Sequence, residues 1–143
     1  MKPTDLALNQ ALGMREAPAG APHLLELPLT PLVRNHLGTM HAAAQFALAE
    51  GASAACLLRE FSALANAVVP VVRGAAVKYR KPATADLFAF ATIDDATRQR
   101  LPAEFAARPA ARATVHVELK DAAGTLTFAG DFEWFLAKLP NPS

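Results

Sequence analysis

The sequence predicts an α+β fold in which an antiparallel β-sheet curls around one long central helix. Residues 40–58 form an apolar, alanine-rich run that is long enough for a helix buried on most sides. From Val68 onwards, apolar residues recur at every second position, which is the period of a β-strand. The clearest alternation, at 112–120, leads through a hairpin turn at 121–124 into another alternating run, and such neighbours pair antiparallel. A sheet that covers one helix must curl around it.

The first part of the chain carries two shorter elements. Residues 4–16 mix leucines with polar positions and contain no proline, which predicts a leading helix. A strand is expected at 23–30, where alternate leucines share one face. Because Pro28 cannot donate a backbone hydrogen bond, this strand is expected at a sheet edge.

The central helix and the elements after it complete the expected order. Thr39 is the predicted N-cap of the central helix, which should end near Phe61. After this helix we expect, in order, half-buried strands at 71–81 and 86–97, a short helix at 98–108 interrupted near Pro102, and strands at 112–120 and 125–136.

Length and composition indicate one domain. The chain has 143 residues, of which 52% are hydrophobic and 19% are charged, enough for one core without metals or disulfides. We predict a single domain over 1–143, with an N-terminal helical extension at 1–20 and a loose tail at 137–143. A net charge of +1 without runs of like charge argues against nucleic acid as a partner. The lone cysteine, Cys56, lies in an apolar stretch, which indicates a buried thiol and a reducing compartment.

The apolar run at 40–58 is not expected to span a membrane. It contains His41, Gln45 and Glu50, and a carboxylate in the middle of a helix is costly in lipid. Residues 1–10 hold one lysine and no long apolar run, unlike a signal peptide. We therefore expect a cytoplasmic protein with no membrane partner.

Glu50 is the sharpest candidate for a functional residue. It stands in the middle of the apolar helix, where a desolvated carboxylate needs a partner or a proton and its pKa rises. Perturbed acids of this kind concentrate at functional sites. Two structural alternatives remain: a narrow wet stripe shared with Ser53, or an arginine across an interface.

The start of the same helix provides further candidates. His41 lies nine residues before Glu50, so the two stand on roughly opposite sides of the helix and about 13 Å apart along it. One site can use both only if two chains assemble it around a two-fold axis. Free N–H groups near Ala42 and Ala43 could polarise a substrate carbonyl, and Asn35 could add an amide donor. His41 could equally cap or pack the helix start, and Asn35 could be an ordinary turn residue.

Two motifs resemble one known family. Residues 35–43 read Asn-His-Leu-Gly-Thr-Met-His-Ala-Ala and are followed at 48–50 by Leu-Ala-Glu. Together with Val-Lys-Tyr-Arg-Lys-Pro-Ala at 77–83, they resemble the signature of hot-dog-fold thioesterases of the phenylacetate-degradation type, and look closest to an uncharacterised, DUF4442-like branch. The resemblance runs from about His23 to Leu136 and implies the hot-dog fold, a sheet wrapped around a central helix.

The resemblance also implies an activity, the hydrolysis of an acyl-CoA or a related acyl thioester. Glu50 would be the nucleophile or the general base, Ala42 the oxyanion donor through its backbone N–H, and Asn35 a positioning group, with His41 beside them. Family members usually carry two glycines where Ala42 and Ala43 stand, which keeps open the alternative of a protein that binds an acyl ligand without catalysis. A dehydratase or hydratase is a third possibility, for which His36 is a poor match.

The resemblance implies a homodimer, with a dimer of dimers as the alternative. Coenzyme A would enter only as part of the substrate, and no further cofactor is expected. The four histidines and Cys56 lack the spacing of metal ligands. Phe46, Leu57 and Phe61 are candidates to line an acyl pocket, and could equally be core. The remaining candidates for substrate binding are Ala43, Ser53, Arg73, Arg80 and Lys81, of which the three cations could hold phosphates.

Overall fold

A computed structural model describes residues 1–140 and consists of a six-stranded antiparallel sheet curled around one long helix. The predicted α+β class is therefore confirmed. The strands are β1 (Arg15–Glu16), β2 (Leu25–Leu27), β3 (Val68–Tyr79), β4 (Leu87–Thr92), β5 (Ala110–Lys120) and β6 (Leu126–Lys138). The helices are α1 (Ala7–Leu12), α2 (Ala42–Glu60) and α3 (Asp95–Ala107). The order across the sheet is β1-β2-β4-β5-β6-β3.

The N-cap of the central helix, α2, lies two residues later than predicted. His41 is the N-cap, because its Nδ1 accepts the backbone N–H of Ala43 at 2.9 Å. Thr39 is instead bonded to the side chain of Asn35, so the prediction that Thr39 caps the helix was wrong. Alanines favour helix and let the strands approach, and α2 packs across β2, β4, β5 and β6. No helix within residues 1–140 is long and apolar enough to cross a membrane.

The hairpin of β5 and β6 forms one side of the hydrophobic core. Alternate residues of β5 are buried and exposed, as the sequence pattern predicts. Gly124 closes the turn with φ of 82°, a conformation that favours glycine. Phe128 and Phe132 are fully buried on the inner face of β6, against the helix side of the sheet. The predicted strand at 125–136 extends two residues further, so 137–138 belong to β6 and not to a loose tail; residues 141–143 lie outside the described part.

Strand β3 differs most from its prediction. It pairs only with β6 and forms the edge of the sheet, so most of its residues are exposed on both faces instead of half-buried. Val69 and Val71 are 44% and 47% exposed. The sequence cannot distinguish an edge strand from an inner one here, because the β-branched run is typical of both. The outer edge of β3, twelve residues long, therefore pairs with no other strand within residues 1–140.

The other elements are shorter or longer than expected. The predicted helix at 4–16 is a single 3-10 turn at Pro3–Asp5 followed by α1, and its last two residues form β1. The strand expected at 23–30 covers only β2, and lies one strand in from the edge because β1 pairs with it. Helix α3 continues through Pro102, so the predicted interruption was wrong; Asp94 caps this helix by accepting the N–H of Thr97.

Candidate functional site

Glu50 lies on the half-buried side of α2, at a cavity of about 450 Å³. Two other walls of this cavity come from the first residues of the chain and from the beginning of β3. The lining residues of β3 are aliphatic, and Trp134 on β6 lies beneath them. The predicted acid on the apolar helix is thus found at an open, mostly apolar cavity.

The carboxylate of Glu50 makes no hydrogen bond and no ion pair with any of residues 1–140. Burial raises its pKa above the usual value, because the charged form loses hydration without gaining a partner. Glu60, on the same helix, is ion-paired with Arg98 at 2.9 Å, and that bond lowers its pKa. Of these two acids, Glu50 is therefore the stronger base.

The start of α2 presents backbone donors to solvent. The Ala43 N–H is occupied by His41 Nδ1, whereas the Ala42 N–H has no acceptor within the described residues. Because Nδ1 accepts a hydrogen bond, a neutral His41 carries its proton on Nε2. All three residues are exposed. The helix start therefore offers the Ala42 N–H to solvent, at the positive end of a 19-residue helix.

Asn35 shapes the loop before α2. Its Oδ1 accepts the backbone N–H groups of Leu37 and Thr39, at 2.9 and 3.1 Å, and its Nδ2 donates to the hydroxyl of Thr39 at 2.9 Å. Gly38, with φ of 77°, completes the turn. Within one protomer Asn35 therefore fixes the approach to the helix start, with one Nδ2 hydrogen left free.

Tyr79 connects the helix start to the end of β3, a connection that the sequence analysis missed. Its hydroxyl donates to the Ala42 carbonyl at 3.1 Å, while its ring packs edge-on against Phe128. Arg80 and Lys81 follow directly in the chain, are exposed, and have no ion-pair partner among the described residues. Two unpaired cations thus follow, in the chain, the tyrosine that contacts the helix start.

The other predicted binding residues lie elsewhere. The Arg73 guanidinium stacks on the Phe135 ring, 4.6 Å from its centre, at a β-bulge in β3. Phe46 is half-buried against Phe132, with ring centres 5.4 Å apart. Leu57 and Phe61 line a separate small apolar cavity near the end of α2.

Ser53 is fully buried and does not line the Glu50 cavity. Its hydroxyl donates to the Glu50 carbonyl at 2.7 Å and accepts the indole N–H of Trp134 at 2.9 Å. Ser53 thereby holds Trp134, which lines the cavity, in position. The sequence analysis gave no sign that Trp134 would reach this site.

Two features bound the chemistry of the site. Glu50 and the Ala42 N–H are eight residues apart on one helix, about 12 Å along its axis, so a single helix cannot bring both to one carbonyl group. Within residues 1–140, no three His, Cys, Asp or Glu side chains are grouped so that they could hold a metal ion. A buried glutamine, Gln45, leaves its Oε1 without a donor near the helix start.

Solved structures define the class of protein. A protein of Pseudomonas aeruginosa described as a probable thioesterase superposes with a TM-score of 0.79 at 26% identity, over 94% of this chain and 89% of that one. A thioesterase of Haemophilus influenzae superposes with a TM-score of 0.73 at 14% identity, over 98% and 90%. A Bacillus halodurans protein crystallised with CoA gives 0.65 at 20% identity, over 90% and 74%. The fold is the hot-dog fold of these thioesterases.

The family is narrower than the fold. The model of the family described as a domain of unknown function, DUF4442, matches residues 21–136, and the chain belongs to that family. No curated protein matches the sequence. The predicted resemblance to hot-dog thioesterases and to the DUF4442 branch is confirmed.

Proposed function

We propose that the protein hydrolyses an acyl-CoA or a related acyl thioester, with Glu50 as the nucleophile or general base. The observation that carries the proposal is the unpaired, desolvated Glu50 carboxylate at the wall of an apolar cavity. A carboxylate whose pKa is raised by burial is a stronger base than one in water. The thioesterase fold of the structural neighbours supports thioester chemistry in general.

In the proposed reaction, Glu50 takes a proton from water as the oxygen of that water attacks the thioester carbonyl. The Ala42 N–H donates to the carbonyl oxygen as it becomes an oxyanion, assisted by the positive end of α2. The carbon–sulfur bond then breaks, and the proton held by Glu50 passes to the leaving thiolate. If Glu50 attacks directly, the carbon–sulfur bond breaks and the thiolate leaves as an acyl-enzyme anhydride forms. Water then cleaves the anhydride, which restores the Glu50 carboxylate, releases the acid and supplies the proton of the thiol.

The proposal requires two protomers. Since Glu50 and Ala42 are about 12 Å apart along one helix, we infer that the helix start of one chain faces Glu50 of its partner. The unpaired edge of β3, with its exposed valines, supports association between copies by strand addition. Further pairing of two dimers stays a prediction.

Coenzyme A is the proposed carrier. Arg80 and Lys81 are unpaired cations that follow, in the chain, the tyrosine that contacts the helix start, and they are suited to the phosphates of the nucleotide. The Bacillus halodurans protein of the same fold was crystallised with CoA. An acyl carrier protein would present a similar phosphopantetheine thioester, so the same site could take either carrier.

The test is a thiol-release assay of purified protein on short-chain, medium-chain, long-chain and aryl CoA thioesters. We expect Glu50→Gln to lower kcat by about 10²- to 10⁴-fold, the range for loss of a general base. Glu60→Gln is the matched control, because it removes an acid from the same helix at a surface ion pair. Equal rates for wild type and Glu50→Gln would refute the mechanism, and a chain that stays monomeric in solution would refute the shared site.

One observation favours a second function, binding without catalysis. Ala42 and Ala43 place methyl groups where the related thioesterases carry glycines, which narrows the approach of a thioester to the Ala42 N–H. If acyl-CoA binds tightly but no substrate in the panel releases thiol, the protein is an acyl-ligand binder on the same fold.

A further inference from the structure

The first six residues form a strap over the Glu50 cavity. Met1, Lys2, Pro3 and Leu6 all line this cavity. These residues precede the segment 21–136 that the family model matches, so this wall is supplied by a part of the chain outside that match. We call residues 1–6 the N-terminal strap.

The strap is held in place by polar contacts at several points. Asn9, which is only 4% exposed, donates its Nδ2 to the Pro3 carbonyl at 2.9 Å. The carboxylate of Glu16 accepts the hydroxyl of Thr4 and the ammonium of Lys2, both at 3.1 Å. A segment tied by its backbone and its side chains is a built wall, unlike an untethered terminus.

Gly51, next to Glu50, lets the chain after the strap lie close to α2. A Cβ at Gly51 would stand 3.1 Å from the Met14 sulfur and 3.3 Å from Leu25 Cδ1, tighter than ordinary contact. The strap also separates the Glu50 cavity from a second one of about 470 Å³, since Lys2, Pro3 and Leu58 line both. The length of the Glu50 cavity is therefore limited on this side by the strap.

We propose that the N-terminal strap is the wall that sets acyl-chain length, with Leu6 as the specificity-determining residue for straight aliphatic acyl thioesters. The inference rests on the proposed function, since it takes the cavity beside Glu50 as the acyl site. The cavity faces that carry the argument are aliphatic: Leu6 on the strap, and Val69, Val71 and Val72 on β3. Such surfaces select a chain by the number of methylenes they bury.

The experiment compares Leu6→Ala and Leu6→Trp with the matched pair Leu8→Ala and Leu8→Trp. Leu8 is two residues further on, is 67% exposed against 45% for Leu6, and does not line the cavity. The measured quantity is kcat/KM for straight-chain acyl-CoAs of increasing length. Leu6→Trp should lower it for the longest chains by about fourfold for each methylene excluded, and spare the shortest. Leu6→Ala should move the optimum towards longer chains, and the Leu8 pair should leave the profile unchanged.

A second arm separates this inference from the proposed hydrolysis. Calorimetry measures the Kd of each acyl-CoA for Glu50→Gln with and without the Leu6 substitutions, so no turnover is needed. If wild type hydrolyses the substrates but the Leu6 variants keep its length profile, the strap inference fails and hydrolysis stands. If nothing is hydrolysed but Kd depends on chain length and shifts with Leu6, the inference holds and hydrolysis fails. If no acyl-CoA binds at any length, both fail.

Discussion

The hydrogen bond between Ser53 and Trp134 gives the most direct test of how the site is supported. Ser53 is fully buried, Trp134 is 4% exposed, and the indole N–H donates to the serine hydroxyl at 2.9 Å. Ser53→Ala leaves this N–H buried without an acceptor, which costs about 1–3 kcal/mol of unfolding free energy. For a chain of this length, that corresponds to a fall in Tm of roughly 3–12 °C.

A double-mutant cycle isolates the bond from the packing around it. Trp134→Phe removes the indole N–H as well as part of the ring. In a protein that carries Trp134→Phe, Ser53→Ala therefore no longer leaves a buried N–H without an acceptor. We expect the double variant to be about 1 kcal/mol more stable than the sum of the single effects in urea unfolding. Ser62→Ala is the control, because Ser62 is exposed in a 3-10 turn. Additive effects within about 0.5 kcal/mol would refute the reasoning.

Two further predictions concern charge. Because burial raises the pKa of Glu50, ionisation of this residue destabilises the folded state, so Glu50→Gln should raise Tm relative to wild type at neutral pH. The gain should disappear as pH falls below the usual pKa of 4.5, and a gain independent of pH in thermal unfolding would contradict it. Replacing Arg80 and Lys81 by alanine should raise KM for acyl-CoA by about tenfold, the worth of one charge-assisted phosphate contact. The same change should spare acyl-N-acetylcysteamine, which lacks the nucleotide, and equal effects on both thioesters would argue against phosphate binding.

The central helix and the last hairpin could be predicted from the sequence because their signals are local. An alanine-rich run favours helix whatever its surroundings. The alternation of apolar and polar residues in β5 likewise indicates which face of the strand is buried. The cap was mistaken because a histidine and a threonine both accept hydrogen bonds, and only the loop geometry around Asn35 decides between them. Helix α3 runs through Pro102, with Asp94 capping its start and the helix packed on β5, and neither contact can be read from the local sequence.

The candidate site could be predicted only where one element carries it. Glu50 and the start of α2 belong to a single helix, so their residue types and their spacing could be recognised from the sequence. Leu6, Tyr79 and Trp134 reach the site from three distant parts of the chain. Their contribution depends on how distant elements pack together in the fold. Hydrophobic periodicity shows which face of an element is buried but not which residues pack against that face.

The unpaired edge of β3 has a consequence for handling the protein. β3 is twelve residues long and rich in valine, and its outer edge pairs with no other strand within residues 1–140, so it is a template to which an extended chain can add. Variants that weaken the proposed association of two copies along this edge should therefore appear first as turbidity at high concentration, while the helical signal of α2 is still intact. For this protein, turbidity should therefore reveal a change at the edge strand before spectroscopy reveals a change in the core.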